Sequence, residues 1–152
     1  MTLCSCVAAL LVLLPCSAWP QLPGDSASRL VRGSAIERLL KGGGIHRYQV
    51  DLAAADFAKV VVVQKGIDVV VRLYGPRGDS LDLVDNPNGT DGPEPLYWVS
   101  ERPGTYRVDV IALDSTSAEG AYSIQLEAQR PADSTDRERI RGDKEIAAGN
   151  SA

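Results

Sequence analysis

The chain has 152 residues, 44% hydrophobic and 24% charged, with 16 Lys and Arg against 20 Asp and Glu for a net charge of −4. That composition leaves room for one ordinary domain with its own core, and its acidic balance supplies no phosphate-tracking field, which excludes nucleic acid as the expected partner. The three cysteines, Cys4, Cys6 and Cys16, all precede residue 18, so the rest of the chain has neither disulfide nor thiol chemistry.

Residues 1–18 contain no charged side chain; Val7–Leu14 is an apolar run, and Pro15-Cys16-Ser17-Ala18 puts small residues before a cut after Ala18. This pattern predicts a secretory signal peptide, too short for a membrane helix of ~20 residues. Leu13-Leu14-Pro15-Cys16 is only loosely a lipoprotein box, because Pro15 is a poor substitute for the small residue such a box requires. The mature chain is therefore expected outside the cytoplasm, secreted or periplasmic, with no membrane span. Residues 19–33, rich in Pro, Gly, Ser and Asp without an apolar period, predict an exposed linker.

From residue 34 the period-two signal dominates. Ala35–Leu40 is a first short strand candidate, and Tyr48-x-Val50-x-Leu52 alternates apolar with polar side chains, as a strand with one buried face does. Lys59–Lys65 and Asp68–Leu73 are β-branched and apolar on both faces, which predicts central strands joined through Gln64-Lys65-Gly66. Leu81–Val84 and Leu96–Ser100 are shorter candidates, and Tyr106-x-Val108-x-Val110 and Tyr122-x-Ile124-x-Leu126 repeat the alternation of the second strand. Eight strands separated by turn-rich stretches at Gly75–Gly78, Asn86–Pro95 and Pro103-Gly104 predict an all-β, antiparallel sandwich of jelly-roll type over 34–130. Beyond Pro131 the pattern changes: Asp133-Ser134 can cap a helix through Asp136, Arg137, Glu138 and Ile140, so 131–152 reads as the start of a helical region or a frayed tail.

Several segments carry a family resemblance: Tyr48-x-Val50-x-Leu52, Val61–Val71 with its Gln64-Lys65-Gly66-Ile67-Asp68-Val69-Val70-Val71 core, Leu73-Tyr74-Gly75-Pro76-x-Gly78, Val84–Gly89, Gly104-x-Tyr106-x-Val108-x-Val110 and Gly120-x-Tyr122. Over about residues 34–141 their order and spacing resemble the bacterial pre-peptidase C-terminal (PPC) type of β-sandwich, in the version that precedes tetratricopeptide (TPR) repeats and a caspase-like CHAT domain. The resemblance implies a non-catalytic exported module that binds or positions protein partners or the helical repeats of its own polypeptide, with no catalytic residue to carry over and any peptidase activity lying downstream. Tyr106 and Tyr122 are expected to bury their rings with hydroxyls at the rim, and Gly104 and Gly120 to open strands after tight turns.

Other constellations are weighed beside that reading. Gly78-Asp79-Ser80-Leu81 spells the GDSL motif of a hydrolase family, but a serine nucleophile needs a histidine base, and the only histidine, His46, opens a strand beside Gly42-Gly43-Gly44 and reads as an exposed surface residue. A turn accounts for the motif without catalysis. Six carboxylates, Asp79, Asp82, Asp85, Asp91, Glu94 and Glu101, lie between Gly78 and Glu101 with no Lys or Arg among them. Asp85, Asn88, Asp91 and Glu94 are oxygen donors in a turn-rich stretch; they suit a structural turn and, as the secondary reading, a Ca²⁺ ion. No other cofactor is expected, and one histidine with no cysteine in the mature chain cannot close a zinc site. Tyr97 and Trp98 beside this stretch are candidate stacking residues for a carbohydrate or matrix polymer, although neighbours on a strand face opposite ways. Arg77-Gly78-Asp79 and Arg141-Gly142-Asp143 read as soluble turns before they read as adhesion tripeptides, and Asn88-Gly89-Thr90 is a glycosylation sequon.

Overall fold

The structure, a computed structural model, describes residues 27–149, with side chains through residue 143. The signal-peptide segment, most of the linker segment and the last three residues lie outside the described residues. Nine strands and one helix follow in chain order: β1 (Ser28–Arg29), β2 (Ala35–Leu40), β3 (Ile45–Leu52), β4 (Asp56–Lys65), β5 (Val69–Tyr74), β6 (Ser80–Val84), β7 (Asp91–Val99), β8 (Gly104–Ala112), β9 (Gly120–Pro131) and α1 (Ser134–Gly149).

The strands form two facing sheets, ordered β1-β3-β8-β5-β6 and β2-β9-β4-β7. Without β1, successive strands cross between the two sheets in jelly-roll order except for the β5–β6 hairpin, which stays in one sheet, and the last strand returns beside the first. All pairings are antiparallel except that of β1 with β3. The period-two pattern explains the layering. Tyr48, Val50 and Leu52 of β3, Tyr106, Val108 and Val110 of β8, and Tyr122, Ile124 and Leu126 of β9 all enter one core, while the intervening polar residues face out. β4 and β5 are central, each flanked on both sides, as their doubly apolar sequences imply. The outer face of β4 keeps Phe57 at 5% exposure, and the Arg130 guanidinium lies 4.8 Å from its ring centroid.

Two departures from the sequence expectation have local causes. Inside the segment expected as linker, Ser28–Arg29 add a short parallel strand to β3, Leu30 donates its N–H to the Gln49 carbonyl at 2.9 Å, and the Leu30 side chain is 5% exposed in the core. Gly33 N–H then bonds the Leu126 carbonyl at 3.0 Å, tying the same stretch to the other sheet. One buried side chain in six residues leaves no period to detect. Strand β7 starts at Asp91 and ends at Val99, against an expected Leu96–Ser100. Pro93 and Pro95 argue against a strand interior, but β7 pairs only with β4, and an edge strand tolerates proline.

Two glycines are required by geometry. A Cβ on Gly120 would stand 2.5 Å from the Gly66 carbonyl oxygen, and Gly104 has φ of +146° with Pro76 side-chain atoms 2.9 Å from its would-be Cβ. Two residues beyond Gly104, Tyr106 donates its hydroxyl to the Arg102 carbonyl at 3.0 Å, which locks the corner into β8. At the same end of the sandwich, where Ala132 N–H bonds the Ala55 carbonyl, α1 begins with a reciprocal cap. Asp136 N–H bonds Asp133 Oδ1 and Asp133 N–H bonds Asp136 Oδ2, both at 2.9 Å, and Arg130 grips Asp136 through two guanidinium nitrogens at 2.6 and 2.8 Å. No helix among the described residues is long and apolar enough to cross a membrane.

Candidate functional site

The two sheets end together on one side, at β6 and β7, and α1 lies against β7 there. Two adjoining cavities occupy this side and share Asp82 and Ile140 in their walls. The first, about 300 Å³, has an apolar floor of Leu73, Pro76, Trp98 and Tyr106, with Arg102, Arg137, Asp79 and Glu101 around it. The Trp98 and Tyr106 rings meet at 5.9 Å with a tilt of 41°. The second, about 400 Å³, is lined by Asp82, Asp85 and Asp143 with Leu83, Pro95 and Tyr97. Leu81 and Leu83 of β6, an edge strand paired only with β5 among the described residues, are 41% and 48% exposed, Leu83 standing opposite Arg72 on the outer face.

Alternation along β7 separates the two aromatic candidates. Leu96 and Trp98 face the core, with Trp98 only 5% exposed, while Tyr97 faces the other way and donates its hydroxyl to Asp143 of α1. That bond, with burial, pushes the Tyr97 hydroxyl pKa up. The Trp98 indole Nε1 is buried and has no hydrogen-bond partner among the described residues. The two residues therefore do not form one stacking platform.

The oxygen-rich stretch folds around a residue that the sequence reading left as part of a turn. Gln64, 1% exposed, accepts the Val69 N–H on Oε1 at 2.5 Å and donates from Nε2 to Asn88 Oδ1 at 2.9 Å and to Glu94 Oε1 at 3.1 Å. Glu94 is fully buried and accepts the Asn86 N–H on its other oxygen at 2.9 Å. Asn88 also donates to the Pro93 carbonyl at 3.1 Å, which engages the amide of the sequon inside the protein. Of the four candidate calcium ligands, Asn88 and Glu94 thus hold Gln64, Asp91 takes the Thr90 hydroxyl at 3.1 Å, and Asp85 is exposed. No group of three or more His, Cys, Asp or Glu among the described residues stands where it could hold a metal. The signal for Gln64 was present: a single amide inside a run of valines buried on both faces needs partners. Nearby, burial and then the charge of Asp85 push the Asp68 carboxyl above its usual range.

His46 and Ser80 are not neighbours. Three strand spacings separate β3 from β6, roughly 14 Å, and register places His46 level with Val84 rather than with Ser80. His46 is half-buried rather than surface-exposed; its Nδ1 lies 2.7 Å from the Tyr122 hydroxyl, which is 2.5 Å from that of Tyr48. Burial and the Arg38 charge lower the His46 pKa, and burial raises those of both tyrosines. Tyr106 keeps its hydroxyl at the rim as expected, whereas that of Tyr122 sits inside this chain of bonds. Arg77-Gly78-Asp79 is a turn closed by Gly75 N–H on the Asp79 carbonyl at 2.8 Å, but Arg141-Gly142-Asp143 is helical.

Among solved structures, the chain is similar to the pre-peptidase C-terminal domain of a collagenase from Bacillus anthracis, at 20% identity and TM-score 0.56, over 68% of this chain and 96% of that one. It is also similar to PliG of Aeromonas hydrophila, a periplasmic lysozyme inhibitor of g-type lysozyme, at 12% identity and TM-score 0.50, over 68% of this chain and 99% of that one. No protein-family description and no curated protein matches the sequence. The class these findings define is an all-β sandwich. Its fold is that of a pre-peptidase C-terminal domain.

Proposed function

We propose that the protein is a non-catalytic, exported β-sandwich that binds or positions a protein partner through the side where β6, β7 and α1 meet. The observation that carries this reading is the open edge: two exposed leucines on an edge strand lie next to two cavities. The separation of Ser80 from His46 removes the one nucleophile and base pair that the sequence offered. The likeness of fold to a periplasmic lysozyme inhibitor fits a sandwich that acts by binding protein outside the cytoplasm. In this reading α1 is the start of a helical region, in the manner of a sandwich that leads into TPR repeats and a CHAT domain, and its cap and its Tyr97–Asp143 contact fix its direction.

A second reading, a carbohydrate- or matrix-binding module, draws on the half-buried Tyr97 among carboxylates. There Asp85, Asn88, Asp91 and Glu94 would take Ca²⁺ only after Gln64 releases Asn88 and Glu94.

Photo-crosslinking in the producing cell separates these readings. A benzoylphenylalanine at Leu83 is expected to yield discrete protein adducts, and one at the exposed Leu39 of β2 is the control. No protein adduct at either site, with retention on polysaccharide that Trp98→Ala or Tyr97→Ala abolishes, overturns the partner reading.

A further inference from the structure

Resting on the partner reading, we propose that the cleft between β6 and α1 takes an extended, basic segment of the partner, with one apolar side chain in the Trp98 cavity and a Lys or Arg in the cavity beside it. The two chambers differ in chemistry. The first has an aromatic and aliphatic floor of Leu73, Pro76, Trp98 and Tyr106. Its volume, about 300 Å³, is at the small end for ligand sites and suits a side chain rather than a folded element. The second chamber is walled by Asp82, Asp85 and Asp143, with no cation among the described residues of its lining. A positive side chain there meets three carboxylates at once, an attraction that added salt weakens.

The geometry also sets the spacing. The chambers adjoin at Asp82, and along β6 their linings together span Leu81 to Val84, three residues or roughly 10 Å. An extended partner running in the direction of β6 therefore places its cation within three residues after its apolar anchor. Leu81 and Leu83, exposed along the same edge, flank that path.

The probe is an acetylated, amidated octapeptide with one phenylalanine and lysines two and three residues after it. Binding is followed by fluorescence polarisation and by the Trp98 indole N–H resonance in full-length Trp19→Phe protein. The lysine peptide is expected to bind about five-fold or more tighter than its glutamate counterpart and to lose a similar factor with Asp82→Asn/Asp85→Asn. It should also shift the Trp98 indole signal, and replacing its phenylalanine with serine should abolish that shift. Equal binding of the lysine and glutamate peptides, an unmoved indole signal, or no binding at all overturns the cleft assignment. Peptide failure with protein adducts at Leu83 overturns the cleft assignment alone, whereas adducts at Leu39 only, or at neither site, overturn the partner reading with it.

Discussion

Replacing Gln64 with alanine removes three side-chain hydrogen bonds that link β4 to the start of β5, the β6–β7 loop and β7, in addition to the β4–β7 ladder. The Val69 N–H, in a residue with no exposed surface, loses its acceptor, and an unpaired buried donor costs ~1–3 kcal/mol. Glu94, also without exposed surface, keeps only the Asn86 N–H, and a charge-assisted bond lost in such a place costs ~1.5–3 kcal/mol. Loop relaxation and water entry at Asn88 return part of this, so the expected loss is about 2–5 kcal/mol. For a domain of this size that lowers the melting temperature by roughly 6–20 °C. Urea unfolding followed by tryptophan fluorescence, with the slope checked for constancy, measures the difference. The exchange Gln64→Glu with Glu94→Gln retains a donor facing an acceptor and should recover at least half of the loss. A single-variant loss below about 1 kcal/mol, or a double variant no better than the sum of its parts, would show that the network is not what joins these segments.

Gly120→Ala forces a methyl group against the Gly66 backbone and should destabilise by about 2–4 kcal/mol in the same assay; a change under about 0.5 kcal/mol would mean that the β4–β5 turn gives way freely. The lowered pKa of His46 means that the unfolded chain takes up its proton first as pH falls, so stability is full above about 6.5 and declines below it towards the folded value. His46→Gln should flatten that slope, and an unchanged slope in urea titrations across pH 7 to 5 would assign it elsewhere. The Arg130 bonds hold the Asp136 carboxyl near 2, so its contribution is present above about 3.9 and fades as pH drops towards 2. Asp136→Ala should accordingly lower helical ellipticity at 222 nm at neutral pH and remove its acid-dependent loss; unchanged ellipticity would show that α1 forms without its cap.

The sequence by itself determined the class of fold. Alternation in three segments led by tyrosine requires a sheet with one buried face, the valine runs of β4 and β5 require strands flanked on both sides, and the turn residues mark the crossings between them. These are local signals, because a strand's two faces are written in consecutive residues. Asp133 and Ser134 likewise announced a helix start from adjacent positions. Tertiary structure alone decided which edges stayed open and which polar groups met. Tyr97 and Trp98 are adjacent in sequence yet serve opposite sides of β7, and Asp82 shares a cleft with Asp143 only because β6 and α1 converge. Gln64 finds Glu94 across thirty residues, and His46 finds Tyr122 across seventy-six. The physical reason is that alternation fixes the direction of a side chain, whereas its partner depends on how the strands are ordered in the two sheets, and no short stretch of sequence records that order.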